Sequence, residues 1–307
     1  MTTSAAGSDG ASPGPVAAAK AGAGTWVILP TYNEADNLAS IGAAILAALP
    51  AATLLIVDDG SPDGTGALAD GLAATDLRVR VRHRPAKQGL GRAYLDGFAI
   101  ALAGGASTVV QMDADWSHDP AVLPTLIGPI ENGSADLVIG SRYTAGGGVV
   151  DWGIGRRVIS RGGSLFARIV LGLRPNDLTG GFKAWRATTL AAIPFAGVHA
   201  GGYVFQIEMT FRASRRSARV REIPITFRDR RVGQSKMSRR IVAEALVVVV
   251  QLRAEELRSG LRRGASGPRR VDEAGETRAV TTEPSVEPIG GEAPATVAAP
   301  LGGADQP

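Results

Sequence analysis

The sequence predicts an α/β fold, a mostly parallel sheet with helices on both faces, and three observations carry that prediction. Short apolar runs recur at intervals of about 25 to 30 residues. Ala- and Leu-rich segments of helical length lie between them. Polar motifs follow directly on the runs, and a parallel sheet would gather such motifs at the carboxyl ends of its strands.

Taken in order, Trp26–Leu29 is the first run and Glu34–Leu49 the first helical segment. Leu54–Val57, then Thr65–Ala74, repeat the pattern, and Val79–Val81, then Gly89–Ala103, repeat it again. Val109–Met112 and Leu137–Ile139 extend the sheet. The polar motifs are Pro30–Glu34, Asp58–Thr65, Asp113–Asp119 and Gly140–Tyr143. Beyond residue 150 the period changes. Val158, Ile159, Gly162, Leu165, Phe166, Ile169 and Val170 recur at three- and four-residue spacing, the mark of an amphipathic helix. A further helix is expected from Tyr203 to about Arg215, and a strand over Glu222–Phe227.

The chain has 307 residues, 45% of them apolar and 20% charged, which is ordinary for a globular domain. Cysteine is absent, so disulfides and thiolate metal sites are excluded. Residues 1–24 are rich in Gly, Ala, Ser, Thr and Pro and lack the apolar core of a secretory leader, so a disordered arm of a cytoplasmic protein is expected there. Residues 264–307 have no aromatic residue and read as a disordered tail. The catalytic body is then expected over 25–238 and a C-terminal amphipathic helix over 239–263. Its apolar stretch Ile241–Leu252 is too short to cross a bilayer, and either lies in a membrane interface or packs in a dimer. A net charge of +4 suits phosphorylated or membrane-surface partners. The arginine-rich stretch Arg212–Arg231 carries no recognition motif or interleaved aromatics, so nucleic acid is not expected.

Asp113 and Asp115 alternate on an extended backbone just past an apolar run, which points both carboxylates one way. Two such groups suit Mg²⁺ or Mn²⁺; the alternative is a solvated turn whose Asp119-Pro120 caps the next helix. The histidines His83, His118 and His199 are too dispersed to chelate and are expected to be structural. Trp116 and Trp152 either flank a channel or pack in the core.

The segments VILPTYNEADN (27–37), LLIVDDGSPDGT (54–65) and VVQMDADWSHDP (109–120) resemble the family-2 nucleotide-sugar glycosyltransferases of GT-A fold, with its Rossmann-like sheet. GSRYTAGGGV (140–149), RRVISRGGSLFARIVLG (156–172), DLTGGFKAWR (177–186), GGYVFQIEMTFR (201–212) and EIPITFRDRRVGQSKMS (222–238) are similar to the family's polyprenol-monophosphate and dolichol-phosphate mannose synthases, of actinobacterial type.

That resemblance implies an inverting transfer of mannose from GDP-mannose to a polyprenyl phosphate. Pro30, Tyr32, Glu34 and Asp59 would hold the nucleotide, with Asp113 as a donor contact and Lys87 in the Gly-rich segment KQGLGRA. That segment reads equally as a tight turn feeding a helix. Asp113 and Asp115 would hold the metal, with Ser117 as a weaker oxygen where relatives carry Gln or Ser. Arg142, Arg156, Ser160 and Arg230 would grip the acceptor phosphate, with Lys236 as a further cation. Arg156 and Ser160 stand one helical turn apart and can share a face. Asp177, Gln206 and Glu208 would bind sugar hydroxyls or form a network that orders the pocket. A protein of this kind is expected to be peripheral on the inner face of the cell membrane, against an anionic surface. Relatives often pair with a membrane domain, which allows a separate anchor protein. The alternatives are transfer of glucose or another hexose to the same lipid, and a nucleotide-sugar-binding protein without turnover.

Overall fold

In the computed structural model, residues 20–199, 201–228 and 239–265 are described. Most of the expected arm and tail, with Arg230 and Lys236, lies outside the described residues. Lys20–Gly24, assigned to the arm by composition, instead form a turn beside Leu49, with Ala51 N donating to Ala21 O.

The elements in chain order are β1 (Thr25–Thr31), α1 (Ala35–Ala48), β2 (Thr53–Asp58), α2 (Thr65–Thr75), β3 (Val79–His83), α3 (Leu90–Ala103), β4 (Thr108–Gln111), α4 (Leu123–Glu131) and β5 (Leu137–Ser141). There follow β6 (Gly148–Val149), α5 (Ile154–Leu171), β7 (Lys183–Arg186), α6 (Ala187–Ala191), α7 (Gly202–Ser214), β8 (Val220–Pro224), β9 (Thr226–Phe227) and α8 (Arg239–Ala265). Seven strands make one sheet in the order β3-β2-β1-β4-β7-β5-β8. Every pairing in it is parallel except those of β7, which runs against both β4 and β5. β6 and β9 pair separately.

Strand alternation sorts the core into two layers. Val27, Leu29, Leu54, Ile56, Val110 and Val138 face α1 and α4, whose Leu38, Ile41, Ile45, Leu123, Leu126 and Ile130 cover them. Trp26, Ile28, Leu55, Val57, Val109 and Ile139 face Tyr94 and Phe98 of α3 and Phe205 and Met209 of α7. The opposite side of α7, with Val204, Ile207 and Phe211, packs against Ala167 and Leu171 of α5 and Val248, Val249 and Leu252 of α8. Arg215 Nε, just past α7, meets Glu256 Oε1 of α8 at 2.7 Å and fastens this outer layer.

Three differences from the sequence reading stand out. β7 carries no apolar run, because its Lys183 is buried and its Trp185 and Ala184 face opposite layers. The expected strand Glu222–Phe227 breaks at Ile225 into β8, which joins the main sheet, and β9, which joins β6. The third concerns α5, whose apolar stripe is turned mostly outward, only Phe166 and Val170 of it packing against the outer layer. Its buried positions are Ser160, Ser164, Ala167 and Leu171, while Ile154 and Ile169 are 80% and 73% exposed and Val158 and Leu165 are also exposed.

Candidate active site

β1, β2, β4 and β5 end at one edge of the sheet, and β7, running the other way, begins there. Topology therefore brings the loop Asp177–Gly181 to the same edge as the motifs that follow the parallel strands.

On the β1–β2 side, the two motifs build each other. Asn33, at φ +60°, turns the chain into α1. The amides of Asn33, Glu34 and Ala35 donate to Ser61 Oγ, Thr65 Oγ1 and Asp63 Oδ2, at 3.1, 3.0 and 3.2 Å. Side chains of the second motif thus satisfy the open N–H groups at the start of the first helix. Asp58 accepts from Thr31 Oγ1 and Ser61 Oγ. Asp59 is buried and pairs with Arg84, while its Oδ2 accepts the amides of Gln88 and Gly89, each at 3.0 Å. Both oxygens of Asp59 are engaged within the protein, so it acts on the loop Lys87–Gly89. Arg84 also reaches Asp96 at 2.7 Å and Gln88 Oε1 at 2.9 Å. Sequence reading missed Arg84, which nothing distinguishes from Arg78, Arg80 and Arg82. Lys87 Nζ lies 3.3 Å from the centre of the Tyr32 ring, and Pro30 and Tyr32 are half-buried beside it.

Asp113 and Asp115 stand in the loop beyond β4. Asp113 Oδ1 accepts from Tyr94 OH at 3.0 Å, and its amide donates to His118 Nδ1 at 3.3 Å. Burial drives the His118 pKa below its ordinary value and raises that of Tyr94, whose phenol also faces the Asp113 charge. His118 is therefore a neutral ring with its proton on Nε2, stacked 4.8 Å from Phe182, and it anchors the acidic loop. Asp115 Oδ1 accepts the Ser117 amide at 3.1 Å. Between them Trp116 adopts φ +61°, a conformation costly for a bulky residue, and its Nε1 donates to Ser40 Oγ. Ser117 Oγ is buried with no hydrogen-bond partner among the described residues.

Two carboxylates and an unsatisfied hydroxyl are hard oxygen donors suited to Mg²⁺ or Mn²⁺. No group of three or more His, Cys, Asp or Glu able to hold a metal occurs among the described residues. Such a pair supplies part of a coordination sphere, and a ligand's own oxygens must complete it.

Across the edge lies a basin of arginines and hydroxyls. Arg142 grips Asp177 through Nε at 2.7 Å and Nη2 at 2.6 Å, and its Nη2 also donates to Thr179 Oγ1 at 2.8 Å. Asp177 is fully buried and further accepts the amides of Arg142 and Gly180. Burial alone would raise its pKa, but Arg142 overrides that and holds the carboxyl below its usual range. Tyr143 OH donates to Ser160 Oγ at 2.6 Å, and Ser160 and Ser164 lie 3.4 and 3.5 Å from Thr179 Oγ1. Arg156 covers Trp152 at 4.1 Å, and Arg142 is 5.3 Å from the same ring. Arg161, absent from the sequence reading, lies over Tyr143 at 5.3 Å.

Gln206 and Glu208, grouped by the sequence reading, are separated. Residues two apart on a helix point to opposite sides. Gln206 faces Gln111 and the floor of the site. Glu208 instead takes the His199 amide at 2.8 Å and Arg212 Nε at 2.7 Å, away from that floor.

The sequence matches the model of Glycosyl transferase family 2 over residues 26–193. The chain belongs to this family. It is a glycosyltransferase with a GT-A-like fold, and relatives sharpen the placement. An undecaprenyl-phosphate mannosyltransferase of Micrococcus luteus is 49% identical over 224 residues, 73% of this chain and 91% of the relative. A polyprenol monophosphomannose synthase of Mycolicibacterium smegmatis is 47% identical over 228 residues, 74% of this chain and 86% of the relative. Among solved structures, glucosyl-3-phosphoglycerate synthase of Mycobacterium tuberculosis, in complex with Mn²⁺, uridine diphosphate and glucosyl-3-phosphoglycerate, shares the fold at a TM-score of 0.57 and 23% identity, over 81% of this chain and 86% of that one. The match to the family-2 model ends before α7, α8 and β8, so of the outer layer only α5 lies within it.

Proposed function

We propose that this family-2 enzyme transfers mannose from GDP-mannose to the phosphate of a membrane polyprenol, with inversion at the anomeric carbon. The observation that carries the reading is the basin's chemistry. It offers guanidinium groups and hydroxyls, and its carboxylate, Asp177, is consumed by Arg142. An acceptor hydroxyl would need a general base. A phosphate monoester is anionic near neutral pH and needs only grip and position. The names of the two relatives support mannose as the group moved and a polyprenyl phosphate as its acceptor.

In this reading the donor lies along Pro30, Tyr32, Glu34 and Lys87, and Asp59 keeps the Lys87–Gly89 loop in shape. A Mg²⁺ or Mn²⁺ ion on Asp113, Asp115 and Ser117 would neutralise charge on the departing diphosphate. Arg156, Ser160 and Tyr143 orient the acceptor phosphate. Arg142, its charge balanced by Asp177, is fixed beside them, and Arg230 and Lys236 are assigned to the same phosphate. One phosphate oxygen bonds to the anomeric carbon as the bond to the diphosphate breaks from the opposite face. The bonding pair leaves with GDP, and no proton has to move.

The enzyme would work as a peripheral protein on the inner face of the membrane, alone or with a separate anchor. Among the described residues no helix is long and apolar enough to cross a bilayer. The outward apolar stripe of α5, beside exposed Arg157 and Arg161, and the exposed Leu246, Val247 and Val250 of α8 suit an anionic surface.

The test mixes purified protein with a short-chain polyprenyl phosphate, Mg²⁺ or Mn²⁺, and GDP-mannose, UDP-glucose or UDP-N-acetylglucosamine in parallel. A β-linked mannosyl phosphate formed from GDP-mannose alone, and lost with chelator or in Asp115→Ala, is expected. An α-linked product overturns the single displacement, and product from another donor replaces the sugar.

A further inference from the structure

Gln206 is 3% exposed, and its Nε2 has no hydrogen-bond partner among the described residues. Its orientation follows from a chain of bonds with a fixed direction. Trp185 Nε1 can only donate, and it donates to Gln111 Oε1 at 2.7 Å. Gln111 therefore presents its Nε2, which donates to Gln206 Oε1 at 3.4 Å. That leaves Gln206 Nε2 as a committed donor. Lys183 Nζ holds the backbone carbonyl of Gln206 at 2.8 Å and Thr210 Oγ1 at 2.9 Å, which fixes the turn of α7 that carries the amide.

Gln206 Nε2 is aimed at the floor of the site. A Cβ built on Gly181 would lie 3.5 Å from it, and 3.6 and 3.7 Å from Asp113 Oδ2 and Oδ1. A donor and an ionised acceptor thus overlook one spot, left open because residue 181 has no side chain. A hydroxyl fits both, giving its proton to Asp113 and accepting from Gln206. A phosphate oxygen can accept from Gln206 but has no proton to give Asp113.

Building on the proposed sugar transfer, we propose that Gln206 and Asp113 together read one hydroxyl of the donor sugar above Gly181. Gln206 is a specificity-determining residue, and Gly181 keeps the space for that hydroxyl. An unmade buried hydrogen bond leaves the amide unpaired, so a donor lacking that hydroxyl is discriminated against.

Calorimetric titrations with Mg²⁺ test this, using GDP, GDP-mannose and the GDP-deoxymannoses lacking one hydroxyl each. Wild type, Gln206→Leu and Gly181→Ala are compared, with circular dichroism to check that each variant is folded. Both variants should bind GDP like wild type and GDP-mannose about tenfold more weakly. One deoxy donor should bind wild type about tenfold more weakly than GDP-mannose, and its penalty should be smaller in Gln206→Leu, where only the bond to Asp113 is left to lose. Equal affinity of wild type and both variants for GDP-mannose overturns the proposal. So does a penalty for every deoxy donor that is the same in Gln206→Leu as in wild type. If wild type prefers another nucleotide sugar, the mannose assignment fails separately. The cycle with that sugar's deoxy forms must then show the same single coupling, or this proposal fails too.

Discussion

Lys183 is the least expected residue of the core, since its ammonium donates to Gln206 O and Thr210 Oγ1 and no carboxylate pairs with it directly among the described ion pairs. Burial lowers its pKa to about 7, with Asp177 opposing the shift and Arg142 adding to it. The consequence for stability has a definite sign. Between about 7 and the ordinary 10.5, the unfolded chain carries a proton at this site that the folded chain has lost. Stability from this group therefore rises with pH across that window and is level below it. Urea unfolding of wild type and Lys183→Met at pH 6, 7.5 and 9 should show the difference moving in favour of wild type at each step above 7. Parallel curves would mean that the lysine does not titrate there.

At the scale of elements, helix propensity and packing oppose each other at Gly97 in α3. Replacing an interior helix glycine by alanine gains about 1 kcal/mol in propensity. Here, however, a Cβ would overlap Ile28 Cγ2 and press on Val57 Cγ2 at 3.3 Å, both on central strands that cannot retreat. Overpacking costs roughly 1–3 kcal/mol, so Gly97→Ala should lower stability, read as an earlier denaturation midpoint. The same contest explains why α3 holds its position against the sheet and so delivers Tyr94 to Asp113. Helix α5 shows the opposite case. Its small residues Ser160, Ser164 and Ala167 face inward so that the hydroxyls reach Tyr143 and Thr179, and Ile154, Val158, Ile159, Leu165 and Ile169 are left outside.

For the whole molecule, that outward stripe and the net charge of +4 point in one direction. Exposed apolar side chains flanked by arginines gain by entering the headgroup region of an anionic bilayer. Flotation with vesicles containing an anionic lipid should carry the protein up at low salt, and less as salt screens the arginines. Ile154→Glu and Ile169→Glu should weaken flotation while shifting stability by no more than about 0.5 kcal/mol, because neither side chain is packed. Unchanged flotation in both variants would remove α5 from the membrane face.

The parallel half of the sheet was legible because short continuous apolar runs and their intervening helices are local signals. β1 to β5 and α1 to α3 lie within a few residues of where those runs and segments place them. The family, too, is written in its motifs. Partnership is what the sequence leaves open, because it depends on which side chains meet across long separations. Asp59 and Arg84 are 25 residues apart, Arg142 and Asp177 35, and Gln111 and Gln206 95. β7 lacked an apolar run because its lysine is satisfied by α7, a contact that exists only once the chain has folded. The period of α5 identified a helix with an apolar stripe. Only the tertiary structure decided which way that stripe faces, since a three- and four-residue repeat is the same whether it covers a core or looks outward.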